Sequence, residues 1–123
     1  MKQSFALVIE DDPSLGAIFV KTLERAGFET ALDIDGNLYP VIISSQKPSV
    51  VILDFHLPFT TGDRVIADLR TLYPDAGILI VIVTADLFMA KTLQAQGELV
   101  LTKPVSPMRL TEIIAKHLEV KQS

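Results

Sequence analysis

The sequence predicts an α/β domain built as a doubly wound parallel sheet. Short apolar runs alternate five times with segments of helical period along the 123 residues. Three of these runs are continuously apolar, as expected of parallel strands that helices cover on both faces. Because right-handed crossovers place helices on both sides of a parallel sheet, five β-α units in series predict the doubly wound arrangement.

The apolar runs themselves are the predicted strands. They cover residues 5–9, 30–32, 50–53, 78–83 and 99–101. The second run is the least apolar, so we expect it at an edge of the sheet. The predicted helices cover residues 13–26, 37–46, 62–74, 87–96 and 107–118. The first, third and fifth of them carry apolar side chains at spacings of three and four, the pattern of an amphipathic helix.

Glycine and proline mark several helix ends. Gly27 is expected to end the first helix. Pro40 fits only the first turn of the second helix, which is also rich in β-branched residues. Ser106 and Pro107 are expected to cap and open the last helix.

Composition narrows the class of protein. A chain of this length buries one core, and 49% hydrophobic residues with a net charge of -4 argue against disorder and against a basic nucleic-acid surface. The absence of cysteine excludes disulfides and thiolate metal sites. Nothing in the sequence suggests a signal peptide or a membrane span. We therefore expect one cytoplasmic domain over residues 1–123, with no effector domain in the chain.

Polar clusters follow four of the five predicted strands. They are Glu10-Asp11-Asp12, Asp54, Thr84 and Lys103-Pro104. In open parallel sheets, ligands bind beyond the carboxyl ends of the strands. We therefore expect carboxylates, a hydroxyl and an ammonium to meet at one edge of the sheet.

These clusters, together with the segment 54–62 (DFHLPFTTG) and Thr84-Ala85, resemble the motifs of the receiver domain of two-component response regulators. The order agrees, the spacing agrees closely, and the resemblance covers nearly the whole chain. It implies a flavodoxin-like fold with strand order 2-1-3-4-5. It also implies a histidine kinase or histidine phosphotransfer protein as phosphoryl donor, a downstream protein target, and no direct contact with DNA or membrane. A dimer that forms on phosphorylation would fit the same family.

The resemblance assigns the phosphoryl chemistry to three side chains. Transfer to a carboxylate needs a nucleophile, a cation that offsets charge on the phosphoryl oxygens, and donors that hold those oxygens. Asp54 is expected to accept the phosphoryl group, Lys103 to bring its ammonium, and Thr84 to donate its hydroxyl once the group is attached. Pro104 is expected to follow a cis bond that aims the lysine. The domain would then slowly hydrolyse its own acyl phosphate, as a switch rather than a turnover enzyme.

The resemblance also implies a metal site, with further side chains at the edge of the site that affect dephosphorylation. Asp11 and Asp54 are expected to bind a divalent ion directly, Glu10 through water, and the backbone carbonyl of His56 as a further ligand. Ligand sets made only of oxygen favour Mg²⁺ over zinc. The side chains of His56 and Asp86 are expected to modulate dephosphorylation.

Each residue also has an ordinary structural interpretation. Asp12 is expected to remain a helix cap. An aspartate after an apolar run is usually a turn residue, a threonine there a strand end, and a lysine before proline a solvated loop residue. Four such clusters in register favour the functional interpretation.

Two departures from the family pattern lie in the region through which a receiver domain signals its phosphorylation to a target. Val100 stands at a switch position where receivers commonly carry tyrosine or phenylalanine. Nineteen positions separate Thr84 from Lys103, fewer than is usual, so we expect the fourth helix to be short or irregular.

Two alternatives remain open at this stage. A pseudo-receiver would keep the fold and bind a partner without phosphorylation, an interpretation that Val100 favours and the intact acidic and basic residues oppose. A phosphate-ester hydrolase of the haloacid-dehalogenase type also uses an aspartate after a buried strand. Such enzymes need a second aspartate two residues later, where this chain has His56.

Overall fold

Five parallel strands form one sheet, and the computed structural model describes it through residues 4–74 and 77–122. The strands are β1 Phe5–Ile9, β2 Glu29–Asp33, β3 Val50–Asp54, β4 Leu79–Thr84 and β5 Leu99–Thr102. The helices are α1 Pro13–Arg25, α2 Tyr39–Ser45, α3 Gly62–Leu72, α4 Leu87–Ala95 and α5 Pro107–Gln122. The strand order is β2-β1-β3-β4-β5, which confirms the predicted doubly wound topology and places β2 at an edge.

Helices cover both faces of the sheet. Along the central strand β3, Val51 and Leu53 face one core layer, which also contains buried residues of α2, α3 and α4. Val50 and Ile52 face the other layer, which they share with α1 and α5. All four side chains are fully buried. The continuous apolar run in the sequence is therefore explained by burial on both faces.

The helix ends follow the predicted signals. The Asp12 carboxylate caps α1 by accepting the N–H groups of Ser14 and Leu15. Gly27, with φ of 94°, follows the end of that helix, and Ser106 accepts the N–H of Arg109 at the start of α5. The peptide bond before Pro104 is cis, as expected.

Two helices differ in detail from their predicted form. The second begins only at Tyr39, with Pro40 in its first turn, because the carboxylate of Asp33 holds the preceding residues in a turn. The fourth is an uninterrupted helix of nine residues. It is short, as expected, but not irregular. Among the described residues, no helix has both the length and the apolar character needed to cross a bilayer.

Candidate functional site at the carboxyl edge of the sheet

The strand ends bring the predicted polar residues together. Glu10 directly follows β1, Asp54 is the last residue of β3, and Thr84 is the last residue of β4. Lys103 directly follows β5, and its N–H donates to the carbonyl of Thr84 at 2.9 Å, which extends the ladder between β4 and β5 by one bond. Parallel register thus converts four distant sequence positions into one cluster.

Three carboxylates form the acidic part of the site. Glu10, Asp11 and Asp54 each offer an oxygen, and these oxygens all lie within 4.8 Å of one another. Glu10 is fully buried and Asp54 is 4% exposed, whereas Asp11 is exposed, so the cluster opens to solvent on the Asp11 side. Oε1 of Glu10 is buried and has no hydrogen-bond partner among the described residues. A buried carboxylate oxygen without a partner, next to two more carboxylates, suits a hard divalent cation such as Mg²⁺.

The ammonium of Lys103 bridges the two buried carboxylates. Its Nζ lies 3.3 Å from Oε2 of Glu10 and 3.3 Å from Oδ2 of Asp54. The lysine side chain is 24% exposed, so its charge is partly desolvated and points into the cluster. An ammonium in this position can reach a group attached to the carboxylate of Asp54.

The crowded charges shift three pKa values. Burial, together with a hydrogen bond to Asp54, raises the pKa of Glu10 to about 7. Burial also tends to raise the pKa of Asp54, but hydrogen bonds with Glu10, Asp11 and the His56 N–H outweigh it and lower that pKa. Burial opposes the charged form of Lys103, yet the carboxylates of Asp54 and Glu10 raise its pKa above the usual value. The two shifts run in opposite directions, so protonation is favoured at Glu10 and ionisation at Asp54.

Thr84 is fully buried beside this cluster. Its Oγ1 accepts the N–H of Asp86 at 3.1 Å. A hydroxyl that accepts one bond still has its own proton to donate. The structure places Thr84 on the strand next to Asp54, where that proton can turn toward an added acceptor.

The remaining predicted residues differ in how close they lie to the cluster. The N–H of His56 donates to Oδ1 of Asp54 at 3.1 Å, while its imidazole is exposed and packs edge-on against Phe55. Asp86 is exposed at the rim and caps α4 by accepting the N–H of Met89. Val100 is not part of the cluster. It is 5% exposed and lies in the core layer under α4.

Sequence reasoning missed one residue near the site, Asp33. It is a fully buried aspartate at the end of β2, and its carboxylate accepts four backbone N–H groups from the following segment. The signal was the stretch Asp33-Ile34-Asp35-Gly36, because aspartates that precede glycine often bond to the backbone of a turn.

Fold and site together define a doubly wound α/β domain with a carboxylate and lysine cluster at the carboxyl edge of its sheet. Comparison with known proteins identifies the family to which the chain belongs. The model of the response regulator receiver domain matches residues 6–115. The chain therefore belongs to the response regulator receiver domain family.

Individual relatives agree with this assignment. The chain is 31% identical over 115 residues to the DNA-binding response regulator MtrA of Mycolicibacterium smegmatis, covering 91% of this chain and 49% of that protein. It is 32% identical over 121 residues to the uncharacterized transcriptional regulatory protein YbdJ of Bacillus subtilis, covering 97% and 52%. The chain thus spans about half the length of these curated relatives.

Solved structures show the same fold. A CheY-like receiver domain protein from Methanospirillum hungatei superposes with a TM-score of 0.82 at 22% identity, covering 98% of both chains. The chemotaxis response regulator CheY4 of Vibrio cholerae gives a TM-score of 0.79 at 22% identity, covering 94% of this chain and 99% of that one.

Proposed function

We propose that this domain accepts a phosphoryl group on Asp54 in a Mg²⁺-dependent reaction and acts as a switch in a two-component phosphorelay. The observation that carries the proposal is the contact of one ammonium with two buried carboxylates, next to a third carboxylate that is open to solvent. This arrangement supplies an ionised nucleophile, a fixed positive charge and an oxygen-lined cation site within one cluster.

The carboxylates of Asp11 and Asp54 would hold the cation, with Glu10 acting through water and the His56 carbonyl as a further ligand. A bound Mg²⁺ would supply positive charge for the phosphoryl oxygens. The low pKa of Asp54 keeps that carboxylate ionised at neutral pH, so it is ready to attack.

In the transfer step, a carboxylate oxygen of Asp54 forms a bond to phosphorus as the phosphorus–nitrogen bond of a phosphohistidine breaks. The electron pair of the broken bond leaves with the imidazole nitrogen. Lys103 stays close to the phosphoryl oxygens, and the Thr84 hydroxyl donates to one of them. Water later hydrolyses the acyl phosphate, at a rate that His56 and Asp86 adjust from the rim of the site.

The donor in this proposal is a histidine kinase or a histidine phosphotransfer protein in the cytoplasm. The output is a change in a protein-binding or dimerising surface, because a phosphoryl group with roughly -1.5 to -2 charges replaces the single negative charge of the Asp54 carboxylate beside Thr84 and α4. Val100 is buried in the core, and β5 has no aromatic side chain that could change position on phosphorylation. The conformational change would therefore be transmitted by Thr84 and α4.

The test is labelling by acetyl phosphate, followed by intact-mass measurement. With Mg²⁺ the wild type should gain one phosphoryl group, and with EDTA it should gain none. Asp54→Asn should stay unlabelled, whereas Asp12→Asn, which changes a neighbouring carboxylate that caps α1, should label normally. A wild type that folds, binds Mg²⁺ and never labels would instead establish a pseudo-receiver.

A further inference from the structure

Asp33 is a buried carboxylate that the phosphoryl chemistry does not use. Its Oδ1 accepts the N–H groups of Asp35 and Gly36 at 3.2 and 3.0 Å. Its Oδ2 accepts those of Leu38 and Tyr39 at 2.9 and 2.7 Å. Both oxygens are therefore occupied by one segment, residues 34–38 and the first residue of α2, which we call the β2–α2 loop.

Only a carboxylate side chain at position 33 can accept all four of these N–H groups. Four N–H groups that converge on two oxygens need two acceptor atoms, and an asparagine offers only one. Because Asp33 is 0% exposed, water cannot replace a missing acceptor without a rearrangement. The β2–α2 loop thus depends on this carboxylate for its shape.

Asp33 and the loop that it holds contact the candidate site on two sides. On the first side, the carbonyl of Asp33 accepts the N–H of Glu10 at 3.1 Å. This bond fixes the backbone of Glu10, whose Oε2 accepts from Lys103.

On the second side, the carbonyl of Asp35 accepts the N–H of Phe59 at 3.2 Å. The loops also pack tightly, because a Cβ added to Gly36 would lie 2.7 Å from Cγ2 of Thr60. Phe59 and Thr60 belong to the segment 55–61 between β3 and α3. The same segment carries His56, whose N–H donates to Asp54.

We propose that Asp33 is a positioning residue for the cation and phosphoacceptor site. Its carboxylate holds the β2–α2 loop in the shape that supports the His56 segment, while its own backbone carbonyl fixes the Glu10 backbone at the end of the β1–β2 ladder. This role rests on the proposed function, since it concerns the same site. Asp33 itself touches neither the cation nor the phosphoryl group.

The test is the Mg²⁺ affinity of Asp33→Asn, measured by NMR titration under conditions where the protein is folded. We expect affinity to fall about tenfold, as is usual when an outer residue that orients a metal ligand is changed. Acetyl phosphate labelling should slow at subsaturating Mg²⁺ and recover at saturating Mg²⁺. Mg²⁺ affinity equal to that of the wild type would overturn the role.

Tyr73→Phe is the matched control. Its hydroxyl donates to the carbonyl of Ile43 and ties the end of α3 to α2, in the same helical layer but at the opposite end of the sheet. The control should melt at a lower temperature with unchanged Mg²⁺ affinity. A matching loss of affinity in Tyr73→Phe would show that any destabilisation weakens the site, and would also overturn the specific role of Asp33.

A second measurement uses the wild type, so it does not depend on how the variant folds. If an ordered loop favours Mg²⁺ binding, Mg²⁺ must favour the ordered loop to the same degree. Amide exchange at residues 35, 36, 38 and 39 should therefore slow when Mg²⁺ is added, and unchanged exchange contradicts the coupling. A wild type that labels normally, beside an Asp33→Asn variant of normal affinity, overturns the positioning role alone. A wild type that neither binds Mg²⁺ nor labels overturns both proposals.

Discussion

Replacing Asp11 with asparagine should stabilise the domain without Mg²⁺ and remove the stabilisation that Mg²⁺ provides. Asp11 lies within 4.8 Å of two other carboxylates, and none of the ion pairs found among the described residues involves it. In the metal-free protein its negative charge therefore adds repulsion, whereas an asparagine amide in its place can still donate a hydrogen bond to Asp54. With Mg²⁺ present, the same carboxylate would be a direct ligand in the proposed site.

The size of the effect follows from the distance. Two unit charges about 4.8 Å apart repel by about 0.9 kcal/mol in bulk water and by about 3.5 kcal/mol at an effective dielectric constant of 20. Asp11 is exposed, which favours the lower figure, and the pKa of Glu10 leaves that partner partly protonated at neutral pH. We expect Asp11→Asn to gain about 1 kcal/mol, or about 4 °C in melting temperature, at low ionic strength.

Thermal denaturation with and without Mg²⁺ measures both parts of this prediction. The wild type should gain about 2.7 kcal/mol at a Mg²⁺ concentration of about 100 times its dissociation constant, and the variant should gain nothing. The order of stability should therefore reverse when Mg²⁺ is added. Asp12→Asn is the matched control, because asparagine caps a helix as well as aspartate and Asp12 lies outside the cluster. The reasoning is refuted if Asp11→Asn is less stable than the wild type without metal, or if Mg²⁺ stabilises both equally.

Three further perturbations bear on the site and its supports. The pKa of Glu10 is raised from 4.5 to about 7, so the metal-free protein should lose up to ~3 kcal/mol of stability as the pH rises between these two values. Urea titrations at several pH values measure this loss, and Glu10→Gln should flatten that part of the plot of stability against pH. Lys103→Met leaves two buried carboxylates without their counter-charge, so the free energy of unfolding should fall by about 3 kcal/mol at pH 8 without metal. The same variant should be labelled more slowly by acetyl phosphate. Unchanged stability at pH 8 would count against the bridging contact. Gly62→Ala would put a Cβ 2.4 Å from Cδ1 of Phe55 and should lower the free energy of unfolding by about 2 kcal/mol, which a urea midpoint equal to that of the wild type would disprove.

The fold and the cluster could be predicted from the sequence because both depend on repeated local signals. Strands that helices cover on both faces have continuous apolar runs, as Val50 to Leu53 shows. A parallel sheet then brings the residues that follow each strand to one edge, so Glu10, Asp54 and Lys103 could be placed together without knowledge of any distance.

Other features depend on contacts that no local pattern encodes. The buried bonds of Asp33 involve residues up to six positions away and delay the start of α2 to Tyr39, whereas the sequence predicts a helix from residue 37. The division of protonation between Glu10 and Asp54 depends on burial and on the position of Lys103, which only the folded structure supplies. The aspartate that binds four N–H groups and the aspartate that is the proposed nucleophile look alike in the sequence, since each ends a strand.

The site of modification is the most direct test of the central claim. The wild type should be phosphorylated with acetyl phosphate and Mg²⁺, treated with borohydride to reduce the acyl phosphate to an alcohol, digested and sequenced by mass spectrometry. The account predicts one reduced residue, Asp54, and none when Mg²⁺ is omitted. Reduction at Asp11 or Asp12 with Asp54 intact, or stable labelling at a hydroxyl residue, would contradict it.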